Sequence, residues 1–257
     1  MTAGSPAGQT PGNTMDDTIF ALSSGSPPAA IALVRISGSA AADALHMLAG
    51  RIPPARRAVA APLHDLSGQL LDRALVLWLP GPSTATGEDT AELHLHGGRA
   101  VVAAVERALE QCPGLRRALP GEFTRRAFRN GRIDLAEAEG LADLLAAETE
   151  LQRQSAMAMA GGQFSSEVAE WREVLLLLSA EIEAILDFDD EDDVAALPET
   201  FSRNVERLRE AIAGRLTRPR AEQLREGFRV VLAGPPNAGK STLFNACLLY
   251  TSDAADE

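Results

Sequence analysis

Residues 234–241 have the types and the spacing of a loop that binds phosphate groups. They read GPPNAGKS, which matches the pattern G-x-x-x-x-G-K-[ST]. Glycines at both ends let main-chain N–H groups turn toward an anion, and a helix that begins after the loop adds its positive end. Lys240 would reach the β- and γ-phosphates of a nucleotide, and the Ser241 hydroxyl would complete the shell of a Mg²⁺ ion. The motif therefore predicts a nucleoside triphosphate site, without distinguishing ATP from GTP.

Lys240 is the only lysine of the chain, because 23 of the 24 basic residues are arginine. An ammonium group kept in such a background indicates that its compact charge matters, since guanidinium is a larger planar fork. We therefore disfavour the alternative in which this segment is a glycine-rich turn without a ligand. The predicted nucleotide-binding residues are Asn237, Ala238, Gly239, Lys240, Ser241 and Thr242.

A second group of candidate residues follows the alternation of a strand. Glu92, His94 and His96 would share one face of that strand. Two histidines at this spacing could bind a metal, but no third ligand accompanies them, so we favour a role without metal. The acidic run 187–193 could also bind a metal, but a solvated helix end is the favoured interpretation.

These residues need a sheet and helices to position them. Short apolar runs separated by proline and glycine predict strands, and patterns with helical spacing lie between them, which is typical of a mixed α/β domain. The segment 120–128, taken alone, predicts a surface helix and linker. The predicted strands are Thr18–Leu22, Ala30–Ile36, Ala74–Leu79 and Ala91–Leu95, and the predicted helices are Ala40–Leu48 and Arg99–Glu110.

After residue 131 the pattern changes to long amphipathic helices. Apolar residues at helical spacing predict helices over Leu135–Glu150, Ser165–Phe188 and Glu199–Glu226. The compact apolar run Phe228–Ala233 then predicts the strand that leads into the phosphate loop.

The composition excludes several classes of protein. The 257 residues are 46% apolar and 23% charged, as in an ordinary globular protein. No run reaches the roughly 20 apolar residues of a membrane helix, and two cysteines far apart predict neither a disulfide nor a cysteine metal site. The net charge of −12 argues against a general basic groove for nucleic acid. The acidity is concentrated, because residues 1–130 hold 12 arginines and 11 acids whereas residues 131–226 hold 10 arginines and 22 acids.

Both ends of the chain have unusual sequences. Residues 1–15 are rich in Gly, Pro, Ser and Thr and are predicted to be a disordered leader, with Met15 as the alternative start. Residues 247–257 do not continue the helical pattern before them and resemble the translation of a sequencing adapter, so we expect them to be an artefact.

Several motifs in combination resemble the MnmE (TrmE) family of tRNA-modification GTPases. The resemblance depends on the order and spacing of the motifs and covers about residues 16–246. The motifs are residues 17–22, 34–38, 86–92, 96–98, 120–135, 138–139, 180–188 and the phosphate loop.

The resemblance implies an α/β domain at residues 16–130 that binds tetrahydrofolate and dimerises, an α-helical domain at 131–226, and the first strand, loop and helix of a GTPase domain at 227–246. It implies a cytoplasmic homodimer that forms a heterotetramer with MnmG, an FAD protein. Together these would add an aminomethyl or carboxymethylaminomethyl group to carbon 5 of the wobble uridine of tRNA. Tetrahydrofolate in its 5-formyl or 5,10-methylene form would supply the one-carbon unit, and GTP, Mg²⁺ and K⁺ would be the other cofactors.

By the same resemblance, Arg35, Glu92 and Arg132 match folate-contacting positions. A carboxylate can accept hydrogen bonds from the N–H donors of a pterin, and arginine can bind the pterin carbonyl or the glutamate tail. Asn237 matches an asparagine that helps to hold K⁺, so Asn237 and Ser241 are the predicted metal ligands.

Two alternatives and two consequences complete these expectations. A folate-binding module related to aminomethyltransferases, without GTPase activity, is the first alternative; a ribosome-assembly GTPase is disfavoured because its RNA-binding appendage would be basic. We expect the chain as it stands not to hydrolyse GTP. The segment from Gly227 onward is expected not to fold stably, since one strand and one helical turn cannot cover a sheet face.

Overall fold

The computed structural model describes residues 17–187, 197–217, 231–235 and 237–252. It confirms a mixed α/β N-terminal domain followed by helices. The strands are β1 (Thr18–Leu22), β2 (Ile31–Ser37), β3 (Val59–His64), β4 (Leu70–Leu79), β5 (Thr90–His96) and β6 (Leu115–Arg117). The helices are α1 (Ala41–Ala49), α2 (Arg99–Glu110), α3 (Glu122–Arg129), α4 (Leu135–Leu145), α5 (Glu150–Ala160), α6 (Gln163–Asp187), α7 (Phe201–Leu216) and α8 (Lys240–Ser252).

The six strands form one sheet in the order β3-β4-β5-β2-β1-β6. Neighbours are antiparallel except β1 and β6, which are parallel. Residues directly opposite on neighbouring strands point to the same face of a sheet. Because Val34 pairs with Leu93 and Arg35 pairs with Glu92, one face of β2 and β5 is apolar, and the other carries the polar residues together with Ile31 and Leu33.

Helices α1 and α2 cover the apolar face of the sheet. Their buried residues join those of the strands in one core, which is the hydrophobic burial that stabilises this unit. The largest fully buried side chains include Phe20, Ile36, Leu45, Leu93, Leu95 and Leu109. With its other face free of these helices, the sheet can present polar side chains to a ligand.

Gly97 lies at the closest approach of two main-chain segments. A Cβ atom at this position would lie 2.2 Å from the carbonyl oxygen of Ala29. We expect Gly97→Ala to lower the free energy of unfolding by about 2 kcal/mol, because the two segments must separate. Urea unfolding would measure the loss. Gly98→Ala is the matched control, since a Cβ there meets only a Val101 methyl carbon at 3.8 Å, and equal losses in both variants would contradict the steric explanation.

The structure corrects several predicted elements. Strands β3 and β6 were not predicted, because β3 contains Pro62 and β6 has only three residues. The single helix predicted over Leu135–Glu150 is wrong: α4 ends at Leu145, and α5 begins at Glu150, where Thr149 and Gln152 form a reciprocal cap.

The predicted strand Phe228–Ala233 is also not observed where it is described. Residues 231–233 have no regular structure, because no described strand pairs with them, and residues 228–230 lie outside the described part. The leader, the acidic run from residue 188 and the predicted helix beyond residue 217 also lie outside it.

The chain divides into two compact units, Met1–Ala142 with Met159–Ser165 and Asp143–Ala158 with Ser166–Glu257. Within the second unit, helices α6 and α7 line a groove of about 730 Å³. Its wall is mainly apolar, and one Glu181 carboxylate oxygen has no hydrogen-bond partner among the described residues.

None of the helices in the described ranges has the length and apolarity needed to cross a membrane.

Candidate functional site

Arg35 and Glu92 form an ion pair on the polar face of the sheet. The two residues are directly opposite each other on β2 and β5. The Arg35 Nε and Nη2 atoms donate to Glu92 Oε1 over 3.1 and 2.9 Å, and His94 Nε2 lies 3.4 Å from Glu92 Oε2. The exposed fractions are 29% for the Arg35 side chain and 15% for that of Glu92, so both charges are half-buried yet reachable from solvent.

This pair lies between a covered and an open part of the polar face. On one side, Ser37 and Thr90 are fully or almost fully buried. On the other side, Ile31 is 62% exposed and Leu75 is 48% exposed. The ion pair therefore borders a partly apolar open surface, which is the setting in which a flat ring could stack while its polar atoms meet charged groups.

The loop between β4 and β5 covers the closed part of this face. Ser37 Oγ lies 2.7 Å from Thr86 Oγ1 and donates to Glu88 Oε2 over 2.7 Å. Arg126 of α3 reaches the same Glu88 carboxylate at 3.1 Å. These contacts fix the loop to β2, two residues from Arg35 along the strand.

Helix α3 contributes buried charges to the same region. Glu122 is 3% exposed and accepts two hydrogen bonds from the Arg116 guanidinium over 2.9 and 2.7 Å. The hydrogen bonds from Arg116 lower the pKa of Glu122 to about 2, outweighing the opposite effect of burial. The same contacts raise the pKa of Arg116, which also donates to Asp17. Glu122 and Arg116 are therefore both charged at neutral pH.

Arg132 lies against the backbone of the covering loop. A Cβ atom on Gly87, whose φ is +80°, would lie 3.2 Å from Arg132 Cγ and 3.1 Å from Asn130 Cβ. The Asn130 side-chain amide donates to the Thr86 carbonyl oxygen over 2.7 Å. The stem of Arg132 thus rests on a position that only glycine leaves free, and its residue is exposed to solvent.

Of the three predicted folate contacts, the structure brings Arg35 and Glu92 together and places Arg132 against the loop that is anchored to the same strand. The set offers a carboxylate for N–H donors and two guanidinium groups for oxygen acceptors, next to an open apolar surface. These groups fit a flat heterocycle that carries carbonyl and carboxylate groups, as tetrahydrofolate does.

The two histidines of β5 contact different carboxylates. His94 faces Glu92, whereas His96 Nδ1 lies 2.7 Å from Asp72 Oδ1. Burial raises the pKa of Asp72, but hydrogen bonds from the His96 amide and ring outweigh it and leave that pKa below its usual value. Among the described residues, no three His, Cys, Asp or Glu side chains are close enough to hold a metal ion.

The phosphate loop folds around its own lysine. The Lys240 ammonium donates to the carbonyl oxygens of Gly234 and Pro235 over 2.9 and 2.7 Å. Asn237 and Gly239 have positive φ values of 62° and 78°, the left-handed turns that point successive N–H groups toward one side. Helix α8 begins at Lys240.

The other predicted nucleotide contacts surround this turn. Asn237, Ala238, Ser241 and Thr242 are all exposed, with Ser241 and Thr242 in the first turn of α8. The main-chain N–H groups at the first turn of α8 and the nearby Lys240 ammonium fit the phosphates of a nucleotide. The Ser241 hydroxyl fits the ligand shell of a Mg²⁺ ion. The Asn237 side chain carries an amide oxygen, which is a ligand of the kind that K⁺ binds.

The site on the polar face of the sheet includes residues that the sequence pattern predicts to lie on the surface. Segment 120–128 was predicted to be a surface helix, but Glu122 and Arg126 are buried. The reason is that each meets partners from distant segments, namely Arg116 for Glu122 and Glu88 for Arg126. The available signals were the Thr-Gly-Glu-Asp sequence of the loop at residues 86–89 and the Gly-Glu-Phe-Thr sequence at the start of α3. Neither sequence shows which distant residues its charged side chains will contact.

Comparison with known families gives two matches that follow each other along the chain. The model described as "GTP-binding protein TrmE N-terminus" matches residues 18–132, and the model described as "MnmE helical domain" matches residues 135–257.

The chain is also similar to curated proteins named tRNA modification GTPase MnmE. It is 67% identical over 242 residues to that of Novosphingobium aromaticivorans, covering 90% of this chain and 55% of the relative. The identity is 65% over 239 residues for Erythrobacter litoralis, covering 93% and 56%, and 53% over 232 residues for Bradyrhizobium sp., covering 90% and 52%. The chain therefore spans little more than half the length of the curated relatives it matches.

Proposed function

Since the chain belongs to the MnmE (TrmE) family of tRNA modification GTPases, we propose that it is part of an enzyme that hydrolyses GTP and modifies tRNA. In this proposal the enzyme acts in the cytoplasm as a homodimer joined through its N-terminal domain. It forms a heterotetramer with the FAD protein MnmG and adds an aminomethyl or carboxymethylaminomethyl group to carbon 5 of the wobble uridine.

The observation that carries the folate part is the half-buried Arg35–Glu92 pair beside an open, partly apolar face. Glu92 would accept hydrogen bonds from the pterin N–H groups, and Arg35 would hold Glu92 in place while donating to the pterin carbonyl. Arg132, held on Gly87 and exposed, would bind carboxylate groups of the ligand. Tetrahydrofolate would supply the one-carbon unit at this site.

The nucleotide part rests on the turn at Asn237–Gly239 and on Lys240. In the full-length enzyme that we propose, Lys240 would exchange its two carbonyl partners for the β- and γ-phosphates of GTP, which compensate its charge better than neutral oxygens do. Ser241 would bind Mg²⁺, and Asn237 would bind K⁺. Both ions would stabilise negative charge on the phosphates when bound.

Calorimetric titration of the chain with 5-formyltetrahydrofolate tests the folate proposal. We expect Glu92→Gln to weaken binding about tenfold or more, because an amide replaces the carboxylate that accepts the pterin N–H groups. Glu110→Gln on α2 is the matched control, since it removes a carboxylate from an exposed ion pair with Arg117 of β6. Equal affinity of the wild type and Glu92→Gln would remove this pair from the site.

A further inference from the structure

The outer side of α3 carries an exposed aromatic ring between two arginines. Arg125, Phe128 and Arg129 are spaced by three and four residues, so they lie along one flank of the helix, next to the side that carries the buried Glu122 and Arg126. Phe128 is 48% exposed and the Arg125 side chain is 43% exposed. We call Arg125, Phe128 and Arg129 the α3 outer face.

The positive charges of the α3 outer face are weakly compensated. Arg125 has one carboxylate neighbour, Glu122, at 3.7 Å, and that carboxylate already accepts two hydrogen bonds from Arg116. Within the described part of the chain, Arg129 has neither an ion pair nor a side-chain hydrogen bond. The guanidinium groups are therefore available to an anionic partner.

Building on the proposed function, we infer that the α3 outer face binds the RNA substrate, with Arg125 and Arg129 on phosphates and Phe128 on an unstacked base. The planar fork of guanidinium matches the oxygens of a phosphate. An exposed ring provides a surface on which a base of a single-stranded loop can stack. An acidic protein surface would satisfy the arginines but would not account for the ring between them.

The position of this face also relates it to the folate residues. The Arg132 amide donates to the Ala127 carbonyl oxygen over 2.8 Å, so Arg132 directly follows the end of α3. RNA on the α3 outer face would thus lie beside a residue proposed to hold the one-carbon donor. Because the chain carries a net charge of −12, such a local patch, rather than a general basic groove, must provide the attraction.

Fluorescence anisotropy with a labelled synthetic anticodon stem-loop RNA, carrying unmodified uridine at the wobble position, tests the inference on the full chain. We expect Arg125→Ala and Arg129→Ala each to lower the affinity several-fold and to reduce the dependence of log K on log salt by about 0.7, as for one lost phosphate contact. Phe128→Ala should lower the affinity about tenfold and leave the salt dependence unchanged, because stacking involves no charge.

Arg107→Ala is the matched control, since it removes the same charge from an exposed position of α2. The inference is overturned if the wild type does not bind the RNA, if Arg107→Ala has the same effect, or if the α3 variants bind as well as the wild type. It is also overturned if these variants change a dimer to a monomer in sedimentation while the RNA affinity stays constant. Folate titration of the same variants separates the two hypotheses, because loss of RNA binding with unchanged folate affinity affects only this surface.

Discussion

Replacing Glu122 with glutamine is expected to lower the free energy of unfolding by about 3 kcal/mol at neutral pH. The carboxylate is almost fully buried and accepts hydrogen bonds from Arg116, Arg126 and the Leu119 amide. An amide of the same size cannot compensate two guanidinium charges, so the substitution leaves them underpaired next to the covering loop. Urea unfolding at constant ionic strength would measure the difference.

The effect of Glu122 on stability depends on pH in a defined direction. Its pKa is about 2 in the folded protein and 4.5 as the ordinary value, so its contribution to stability is complete above about pH 4.5 and is lost as the pH falls toward 2. We therefore expect the difference in unfolding free energy between the wild type and Glu122→Gln to shrink over this range. Other carboxylates titrate in both proteins, and taking the difference removes their contribution.

A surface ion pair provides the comparison for this buried one. Glu110, the last residue of α2, pairs with Arg117 of β6, and both side chains are more than 40% exposed. Glu110→Gln should cost less than 1 kcal/mol, since water screens such pairs. A loss for Glu122→Gln that is equally small, or that does not change between pH 7 and pH 3, would show that the buried cluster does not stabilise the fold as we propose.

The elements with a strong local pattern could be predicted from the sequence. Strands β1, β2 and β5 and helix α2 lie within one residue of their predicted ends, because alternation or helical spacing is clear in each. Strand β3 lacks such a pattern, because its outward positions are small and Pro62 interrupts it, which an edge strand tolerates. The break between α4 and α5 had a visible signal, Thr149 three residues before Gln152, which outweighed the continuing helical pattern.

The candidate site could be predicted only in part, for a related reason. Alternation placed Glu92 on a polar face, but it could not show that Arg35, 57 residues earlier, would be directly opposite. Arg116, the main partner of the buried Glu122, also donates to Asp17, which is 99 residues from it along the chain. A charge-rich segment is predicted to be exposed unless its partners are known, and these partners come from other strands and loops.

Amide hydrogen exchange is expected to separate the sheet unit from the phosphate loop and α8. The apolar side chains beside the loop are uncovered, since Val231 is 76% exposed and Leu243 and Phe244 are 53% and 55% exposed. A helix with this little packing opens readily, because tertiary contacts supply most helix stability. Amides of α8 should exchange roughly 10³-fold faster, or more, than those of the central strand β5, whose Leu93 is fully buried.

Addition of GTP and Mg²⁺ shows whether the loop binds a nucleotide in this chain. The Lys240 ammonium already has two carbonyl partners, and the described residues 231–235 form no strand that would hold the loop against a sheet. A nucleotide would therefore have to order the loop by its phosphate contacts alone, and the conformational entropy lost opposes binding. We expect exchange in α8 to stay fast with GTP and Mg²⁺ present, in the wild type and in Lys240→Ala alike. Protection of α8 by GTP in the wild type, but not in Lys240→Ala, would show instead that these residues form a working nucleotide site without further cover.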